Sequence, residues 1–238
     1  MLSEKPWKPI DTLVVMAVLA VIFLLGVVVS TIGQRAEAVE TAIDPGVNFI
    51  FYVIFCGVIW ALVHLMVRAR GASWRTAFGF NAPRQMSALL TALGVTMIVF
   101  PIAVFLRWIS ADLMQRIGRQ PAPQQSVQML QTTVALAPQI YLAIQAIVFA
   151  PITEELLFRG ILYPSIKQQG YPKLALVITS VLFGGLHLNL MLFVPLTFLG
   201  LMLGWLYEKT DNLGASIFAH SLFNLANYVW AVSGKQTT

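Results

Sequence analysis

Long apolar runs separated by short polar segments dominate this sequence. The runs cover residues 12–32, 47–67, 86–108, 133–152, 174–188, 191–207 and 213–232. A helix needs about 20 apolar residues to cross a bilayer, and only helices and closed barrels satisfy their backbone hydrogen bonds in lipid. The pattern therefore predicts an all-α, polytopic transmembrane bundle of about seven (six to eight) membrane helices. We expect residues 1–238 to form one integral membrane domain.

The small number of charged residues supports a membrane protein. Only 11% of the residues are charged and 58% are hydrophobic, whereas soluble domains carry about 25% charged residues. The net charge of +5 does not indicate nucleic acid, because the basic residues lie in the gaps between apolar runs. Cys56 is the single cysteine and lies inside a run, so the sequence has no disulfide framework. The predicted partner is the lipid bilayer.

Loop charges predict the orientation of the chain. With a cytoplasmic N-terminus, basic residues concentrate on the cytoplasmic side, as the positive-inside rule requires. The cytoplasmic basic residues are then Lys5, Lys8, Arg68, Arg70, Arg75, Arg84, Lys167, Lys173 and Lys209. Residues 36–38 resemble a signal-cleavage site, but the run 12–32 is longer than a usual signal segment, which favours an uncleaved first helix. The predicted location is the cell membrane, with several spans.

Two polar stretches and four tryptophans fit this arrangement. Residues 68–85 contain glycines and a proline, and they predict an exposed loop. Residues 115–131 are polar with two prolines, and they predict a mobile loop. Tryptophans near the ends of predicted spans are typical of an aromatic belt. These tryptophans are Trp7, Trp108, Trp205 and Trp230.

Two adjacent carboxylates stand where the apolar pattern continues past the fourth run. Glu154 and Glu155 follow this run, and apolar residues resume directly after them. An ionisable residue within a membrane span is costly to bury and is therefore a candidate functional group. Arg159 is four residues after Glu155, so the two share a helix face and can pair. This pairing would leave Glu154 free for acid or base chemistry. Pro151 predicts a helix start or kink just before the pair.

Histidine and asparagine occur at helical spacing in later runs. Phe183 and His187 are four residues apart, as are His220 and Asn224, so each pair shares one helix face. With the carboxylates, these side chains predict one polar cluster between the fourth, fifth and seventh helices. Such a cluster could hold a water, a divalent metal or both. Single polar residues in membrane helices often serve only as interhelical hydrogen bonds. The two residues that we interpret in this way are His64 and Asn227.

Three motifs occur in order within about residues 150–227. They are Glu154-Glu155-x-x-x-Arg159, Phe183-x-x-x-His187 and His220-x-x-x-Asn224. In this order and spacing they resemble the CAAX-protease and bacteriocin-processing family (CPBP, or Abi) of intramembrane endopeptidases. Type II CAAX prenyl proteases belong to that family. The first ninety or so residues show only the hydropathy of membrane helices.

The resemblance implies a role for each motif residue. Glu154 would be the general base that activates a water, and His187 would help to hold that water. His220 and Asn224 would stabilise the oxyanion of the tetrahedral intermediate. The supporting residues would be Glu155, Arg159 and Phe183. These roles agree with the chemistry of peptide hydrolysis, which needs an activated water and a donor for the developing negative charge.

The residues leave two mechanisms open. A catalytic zinc usually has three protein ligands, and Glu154, His187 and His220 could provide them if the enzyme depends on a metal. Asparagine is a poor zinc ligand, however, and the sequence has no His-Glu-x-x-His helix. We therefore favour a glutamate mechanism without a metal. No cofactor is assigned, and a divalent metal such as zinc remains the alternative.

The predicted function is an intramembrane endopeptidase that acts on a peptide or a membrane protein. One alternative is a non-catalytic membrane scaffold of the same fold, but such a protein would be expected to have a broken motif. Another is a proton-coupled transporter, which would be expected to have discontinuous helices in symmetric halves. Here the polar cluster lies in one half of the sequence and all three motifs are intact. The motifs do not specify the substrate, or whether it is prenylated.

Overall fold

The computed structural model describes residues 2–36, 44–80 and 85–234. Within these ranges all regular secondary structure is helical. The nine helices of the described residues are α1 (Pro9–Ala36), α2 (Pro45–Ala69), α3 (Trp74–Phe78), α4 (Gln85–Arg116), α5 (Gln125–Thr132), α6 (Leu136–Lys167), α7 (Pro172–Gly185), α8 (Leu190–Thr210) and α9 (Leu213–Ser233). The predicted all-α membrane fold is confirmed.

The four helices α2, α4, α6 and α8 are long and apolar enough to cross a membrane. The described apolar part of α1, Pro9–Leu25, and helix α7 are shorter. Helix α9 has 21 residues, but it carries two asparagines and a histidine in its apolar sequence. Each of the seven predicted runs therefore falls on a helix, although four of these helices combine the length and the apolarity of a full span.

Helix α6 lies inside the bundle, between two groups of helices. Helices α1 and α2 pack on one side of it, and α7, α8 and α9 pack on the other. Helix α8 also packs against α4, α7 and α9, so it lies at the centre of the second group. The outer faces of α1, α2 and α4 expose many large apolar side chains, as expected of helices in contact with lipid. The helix that carries the two carboxylates thus contacts all five helices of the two groups, α1, α2, α7, α8 and α9.

Both polar stretches that were predicted as loops contain a helix, and those predictions need correction. Helix α3 lies within the stretch 68–85, where the Ser73 and Thr76 side chains form a capping box. Its Phe78 is completely buried in the core. Helix α5 covers the end of the stretch 115–131 and continues to Thr132, and its Leu130 is also buried. Each segment thus contributes at least one buried apolar side chain to the bundle, although the sequence around it is polar.

One of the four predicted belt tryptophans does not belong to a belt. Trp7 is only 5% exposed, and its Nε1 donates a hydrogen bond to the Gly160 carbonyl at 2.7 Å. Trp108, Trp205 and Trp230 are exposed, as a lipid-facing belt requires. The predicted orientation depends in part on Arg84, which lies outside the described residues together with positions 37 and 38 of the cleavage-like sequence. The cytoplasmic N-terminus therefore stays a prediction.

Candidate functional site

Helix α6 alternates between α-helical and π-helical turns. The π turns are Gln145–Phe149 and Leu156–Leu162, and the α-helical segment Ala150–Glu155 separates them. In a π turn each N–H donates to the carbonyl five residues back, as the Ala150 N–H does to the Gln145 carbonyl. Such turns are rare and are frequent at functional sites. The two adjacent carboxylates lie at the end of the segment between them.

A proline after the first π turn leaves one backbone carbonyl without its usual donor. In the five-residue register the Ala146 carbonyl would accept from residue 151, but Pro151 has no N–H. The Asn224 Nδ2 donates to this carbonyl at 2.7 Å. A buried carbonyl without a partner would be costly, so the amide from α9 stabilises the π turn. Asn224 therefore joins α9 to the helix that carries the carboxylates.

Glu155 lies at the centre of a buried charge cluster. Its Oε1 accepts hydrogen bonds from Arg159 Nη1 at 2.7 Å and from His220 Nδ1 at 3.1 Å. None of these three side chains is more than 3% exposed. The Arg159 Nη2 also donates to the Gly200 carbonyl at 3.0 Å. A Cβ on Gly200 would lie 3.0 Å from the Ser180 backbone and 3.3 Å from Nη2, so glycine allows this close approach.

Glu154 is the more exposed member of the carboxylate pair. Its side chain is 29% exposed, and its Oε2 lies 3.9 Å from His220 Nε2. That distance is too long for a direct hydrogen bond, and Oε2 has no hydrogen-bond partner among the described residues. Because the Nδ1 proton of His220 is donated to Glu155, the Nε2 lone pair of a neutral ring faces Glu154. Glu155 is thus paired with a cation, whereas Glu154 is partly exposed and keeps one buried oxygen, Oε2, without a partner in the described part of the chain.

Phe183 separates the other polar groups of the cluster. Its ring packs edge-on against the rings of His187 and His220, with centroids 5.1 and 5.6 Å away. The Arg159 guanidinium lies 4.5 Å from the same ring centroid, within cation–π distance. The His187 Nδ1 donates to the Phe183 carbonyl at 2.7 Å, which leaves Nε2 of a neutral ring as an acceptor. Leu188, with φ of 51°, follows the end of α7 directly after His187.

Helix α2 contributes contacts that sequence reasoning missed. The Trp60 Nε1 donates to the Thr153 hydroxyl at 2.9 Å, and the Trp60 ring stacks on Phe149 at 5.6 Å. Cys56, one turn earlier in α2, is buried, and Thr153 immediately precedes Glu154 in the chain. Cys56 and Trp60 are four residues apart, and this spacing on one helix face was the available signal. Helix α2 therefore lies against the segment that positions the open carboxylate.

The two residues predicted to be structural lie outside this cluster. His64 accepts a hydrogen bond at Nδ1 from Trp74 Nε1 at 2.9 Å, which joins α2 to α3. Asn227 donates to the Phe223 carbonyl of its own helix at 3.0 Å. This hydrogen bond of Asn227 stays within α9, so it does not join two helices as predicted.

The predicted alternative metal ligands do not form a metal-binding group in this structure. Among the described residues, no three side chains of histidine, cysteine, aspartate or glutamate come close enough to hold an ion. This finding includes the predicted set of Glu154, His187 and His220. The Phe183 ring contacts both imidazoles. A metal-dependent mechanism stays the alternative prediction.

Comparisons with known proteins match the part of the chain that carries this site. Residues 136–226 match the family model described as "Type II CAAX prenyl endopeptidase Rce1-like". The protein "Putative membrane peptidase YdiL" of Bacillus subtilis (strain 168) is 30% identical over 128 residues, which are 52% of this chain and 50% of that protein. "UPF0177 protein YxdF" of Lactococcus lactis subsp. lactis (strain IL1403) is 35% identical over 79 residues, 33% of this chain and 43% of that protein. The chain thus spans about half the length of the curated relatives it matches, or less. No solved structure matches the chain.

Proposed function

Since residues 136–226 match the Rce1-like model of type II CAAX prenyl endopeptidases, we propose that this chain is an intramembrane endopeptidase of that family. The family predicted from the three motifs is the family that matches. The observation that supports catalysis best is the asymmetry of the carboxylate pair. Glu155 is fully buried between Arg159 and His220, whereas Glu154 is 29% exposed beside His220 Nε2.

Glu154 is proposed to act as the general base. Its free oxygen takes a proton from a water, and the water oxygen attacks the carbonyl carbon of the scissile peptide bond. The Nε2 lone pair of His187 is an acceptor that can hold the same water in line. A positioned general base contributes about 10²- to 10⁴-fold to such a step. The proton on Glu154 then goes to the leaving amine, so the carboxylate is regenerated when the peptide bond breaks.

His220 is proposed to stabilise the oxyanion, and Glu155 is proposed to orient its ring. Nε2 donates a hydrogen bond to the oxyanion when both ring nitrogens carry a proton, while Nδ1 donates to the buried Glu155 carboxylate at 3.1 Å. Arg159 holds the same carboxylate in place through its contact at 2.7 Å. Fixed donors aimed at a developing charge are usually the largest catalytic contribution. Glu155 and Arg159 therefore act through His220 and do not touch the substrate.

Asn224 is proposed to supply the second oxyanion donor. Its Nδ2 has two hydrogens, and one of them is donated to the Ala146 carbonyl at 2.7 Å. The second hydrogen is then fixed in direction, because the planar amide cannot rotate without losing the first contact. Asn224 thus combines a structural contact to α6 with a donor for the reaction. We propose that the mechanism is independent of a metal ion.

The proposed substrate is a peptide or a segment of a membrane protein that reaches the site within the bilayer. Four helices of the described chain are long and apolar enough to cross a membrane, and the carboxylates lie on one of them. Water at such a site would be limited to what the polar cluster holds, which favours a tightly positioned nucleophile.

Cleavage of a quenched peptide library by the purified, detergent-solubilised protein tests this proposal. The wild-type protein is compared with Glu154→Gln, each with and without a strong chelator. We expect cleavage by the wild type in both conditions and none by the variant. Retained cleavage in Glu154→Gln would rule out Glu154 as the base. Loss of wild-type cleavage in chelator, reversed by added zinc, would establish a metalloprotease instead.

A further inference from the structure

The segment before α1 contributes a buried hydrogen bond to the helix that carries the site. Trp7 donates from Nε1 to the Gly160 carbonyl at 2.7 Å, and both groups are buried. Pro164, four residues on, has no N–H to donate to this carbonyl, and in the five-residue register of the π turn the donor would be Ser165. The indole N–H is thus a donor to this carbonyl from a segment remote in the sequence. No periodic pattern in the sequence connects residue 7 with residue 160.

Gly160 directly follows the arginine of the charge cluster. It lies in the second π turn, Leu156–Leu162, together with Arg159. A Cβ at this position would lie 2.8 Å from the Phe78 ring, so α3 also packs closely here. The Trp7 and Phe78 rings are 5.8 Å apart. One side of the turn is thus fixed by two aromatic rings, while its other side presents the guanidinium to Glu155.

The segment that presents Trp7 is held by contacts of its own. Lys5 Nζ pairs with the Asp211 carboxylate at 2.6 Å, and its side chain is 1% exposed. Gln168 accepts from the Lys5 N–H at 2.6 Å and donates to the Lys5 carbonyl at 3.1 Å. The Leu2 N–H donates to Glu208 at 3.3 Å. Removing only the indole N–H would therefore leave the segment docked.

We propose that Trp7 is a positioning residue for the hydrolytic site. Its hydrogen bond fixes the π turn at Gly160, and this turn sets the position of Arg159. Arg159 in turn holds Glu155, which orients His220. The proposal rests on the proposed endopeptidase function, because its catalytic consequence is read through that reaction. Displacements well below the size of a side chain at such a site can cost an enzyme much of its rate.

The chain offers a matched control for this inference. Trp74 also packs on Phe78, with ring centroids 5.1 Å apart, and it also donates its indole N–H, to His64 Nδ1 at 2.9 Å. That hydrogen bond is exposed and lies away from the charge cluster. Trp7→Phe and Trp74→Phe thus make the same chemical change on two sides of one phenylalanine. Only the first removes a contact to α6.

Steady-state cleavage and amide hydrogen exchange of both variants test the inference. For Trp7→Phe we expect kcat to fall roughly tenfold with KM unchanged, and exchange to rise within residues 156–167. For Trp74→Phe we expect neither change. Wild-type kcat and wild-type exchange in Trp7→Phe would overturn the positioning role. An equal loss in both variants would also overturn it, since the effect would then belong to packing on Phe78.

Two further measurements test the inference if Trp7→Phe folds poorly or if the wild type cleaves no peptide. Benzothienylalanine at position 7 keeps the bicyclic shape of the side chain and lacks the N–H donor. We expect it to reproduce the loss of kcat, and full activity with this side chain would overturn the inference. If no peptide is cleaved by the wild type, the proposed function fails. The hydrogen exchange of residues 156–167 still decides whether the indole fixes the turn.

Discussion

Helices α4 and α6 have the same length, but only α6 contains π turns. Each has 32 residues, and each is apolar enough to cross a membrane. Helix α4 contains Pro101 and stays α-helical throughout. Helix α6 contains Pro138 in its first turn and Pro151 and Pro164 further along, and a π turn precedes each of the last two. A proline alone therefore does not produce a π turn in this protein.

The difference between the two helices lies in what surrounds the freed carbonyls. In α6 side chains from distant segments donate to backbone carbonyls of the π turns, Asn224 to Ala146 and Trp7 to Gly160. The outer face of α4 carries exposed apolar side chains, so lipid lies where polar side chains contact α6. A π turn is thus stabilised where a side chain from another segment donates to its backbone. The extra residue in each turn changes the directions of the side chains between them, and Glu154 is one of these.

The same comparison holds for two ion pairs of identical spacing. Glu155 and Arg159 in α6 are paired at 2.7 Å with side chains at most 1% exposed. Asp112 and Arg116 in α4 are also paired at 2.7 Å, but their side chains are 44% and 73% exposed. A buried charge needs its partner, whereas an exposed pair is screened by water. Four matched pairs of changes test how far this difference reaches, three of them between α6 and α4 and one within α9.

The largest effect is expected from the open carboxylate. Glu154→Gln should lower kcat by about 10²-fold or more, because it removes the general base and keeps the size of the side chain. The matched change in α4, Asp112→Asn, should leave kcat unaltered. Both variants should unfold at the wild-type temperature. Steady-state cleavage checks this, and more than a tenth of wild-type kcat in Glu154→Gln would show that the base lies elsewhere.

The second largest effect is expected on the free energy of unfolding, when the buried ion pair of α6 is broken. Arg159→Met leaves the Glu155 carboxylate buried without its partner, so we expect a loss of about 3–5 kcal/mol in the free energy of unfolding. Arg116→Met should give no measurable change, because water already solvates both partners there. Unfolding in mixed micelles with increasing SDS measures the two. Similar stability in the two variants would mean that the α6 pair is no more important than a surface pair.

Two asparagines in α9 sharpen the comparison. Asn224→Ala removes the donor of the Ala146 carbonyl, and we expect a loss of about 1–3 kcal/mol in stability together with lower kcat. Asn227→Ala removes a contact within its own helix, and its effect should stay below about 0.5 kcal/mol. The same unfolding and cleavage assays apply. A larger loss of stability and kcat in Asn227→Ala than in Asn224→Ala would show that the hydrogen bond from Asn224 to α6 is not the important contact.

The smallest effect is expected from the prolines themselves. Pro151→Ala supplies an N–H that can compete with Asn224 for the Ala146 carbonyl, so we expect a loss of kcat of less than about tenfold. Pro101→Ala adds a donor to a regular helix and should not lower activity. Hydrogen exchange within residues 145–155 reports whether the first π turn persists. An unchanged turn and unchanged kcat in Pro151→Ala would show that the proline is not needed for it.

Local patterns predicted much of the fold and of the charge cluster. The apolar runs place all seven predicted segments on helices, because hydropathy and length decide whether a segment can lie in lipid. The four-residue spacing of Glu155 and Arg159 predicted a pair that the structure contains at 2.7 Å. That spacing also left Glu154 as the open carboxylate, and in the structure it is the exposed one of the two.

The missing parts depend on contacts between distant residues. A 3.6-residue period cannot show an extra residue in a turn, so the π turns of α6 were not predicted, although Pro151 was marked as a helix start or kink. Trp7 was assigned to an aromatic belt because its acceptor, the Gly160 carbonyl, is remote in sequence. Trp60 lies in an apolar run that predicts a lipid-facing helix. Its hydrogen bond to Thr153 is seen only in the structure.

The central claim is that Glu154 activates a water that attacks the peptide bond directly. Single-turnover cleavage in H₂¹⁸O, with unlabelled protein in excess over one cleavable peptide, tests it most directly by mass spectrometry of the new carboxyl group. The account predicts one ¹⁸O atom in the product of the first turnover, and no acyl adduct on the peptide that contains Glu154. A first-turnover product without ¹⁸O would contradict it, since the new oxygen would then come from a carboxylate of the protein.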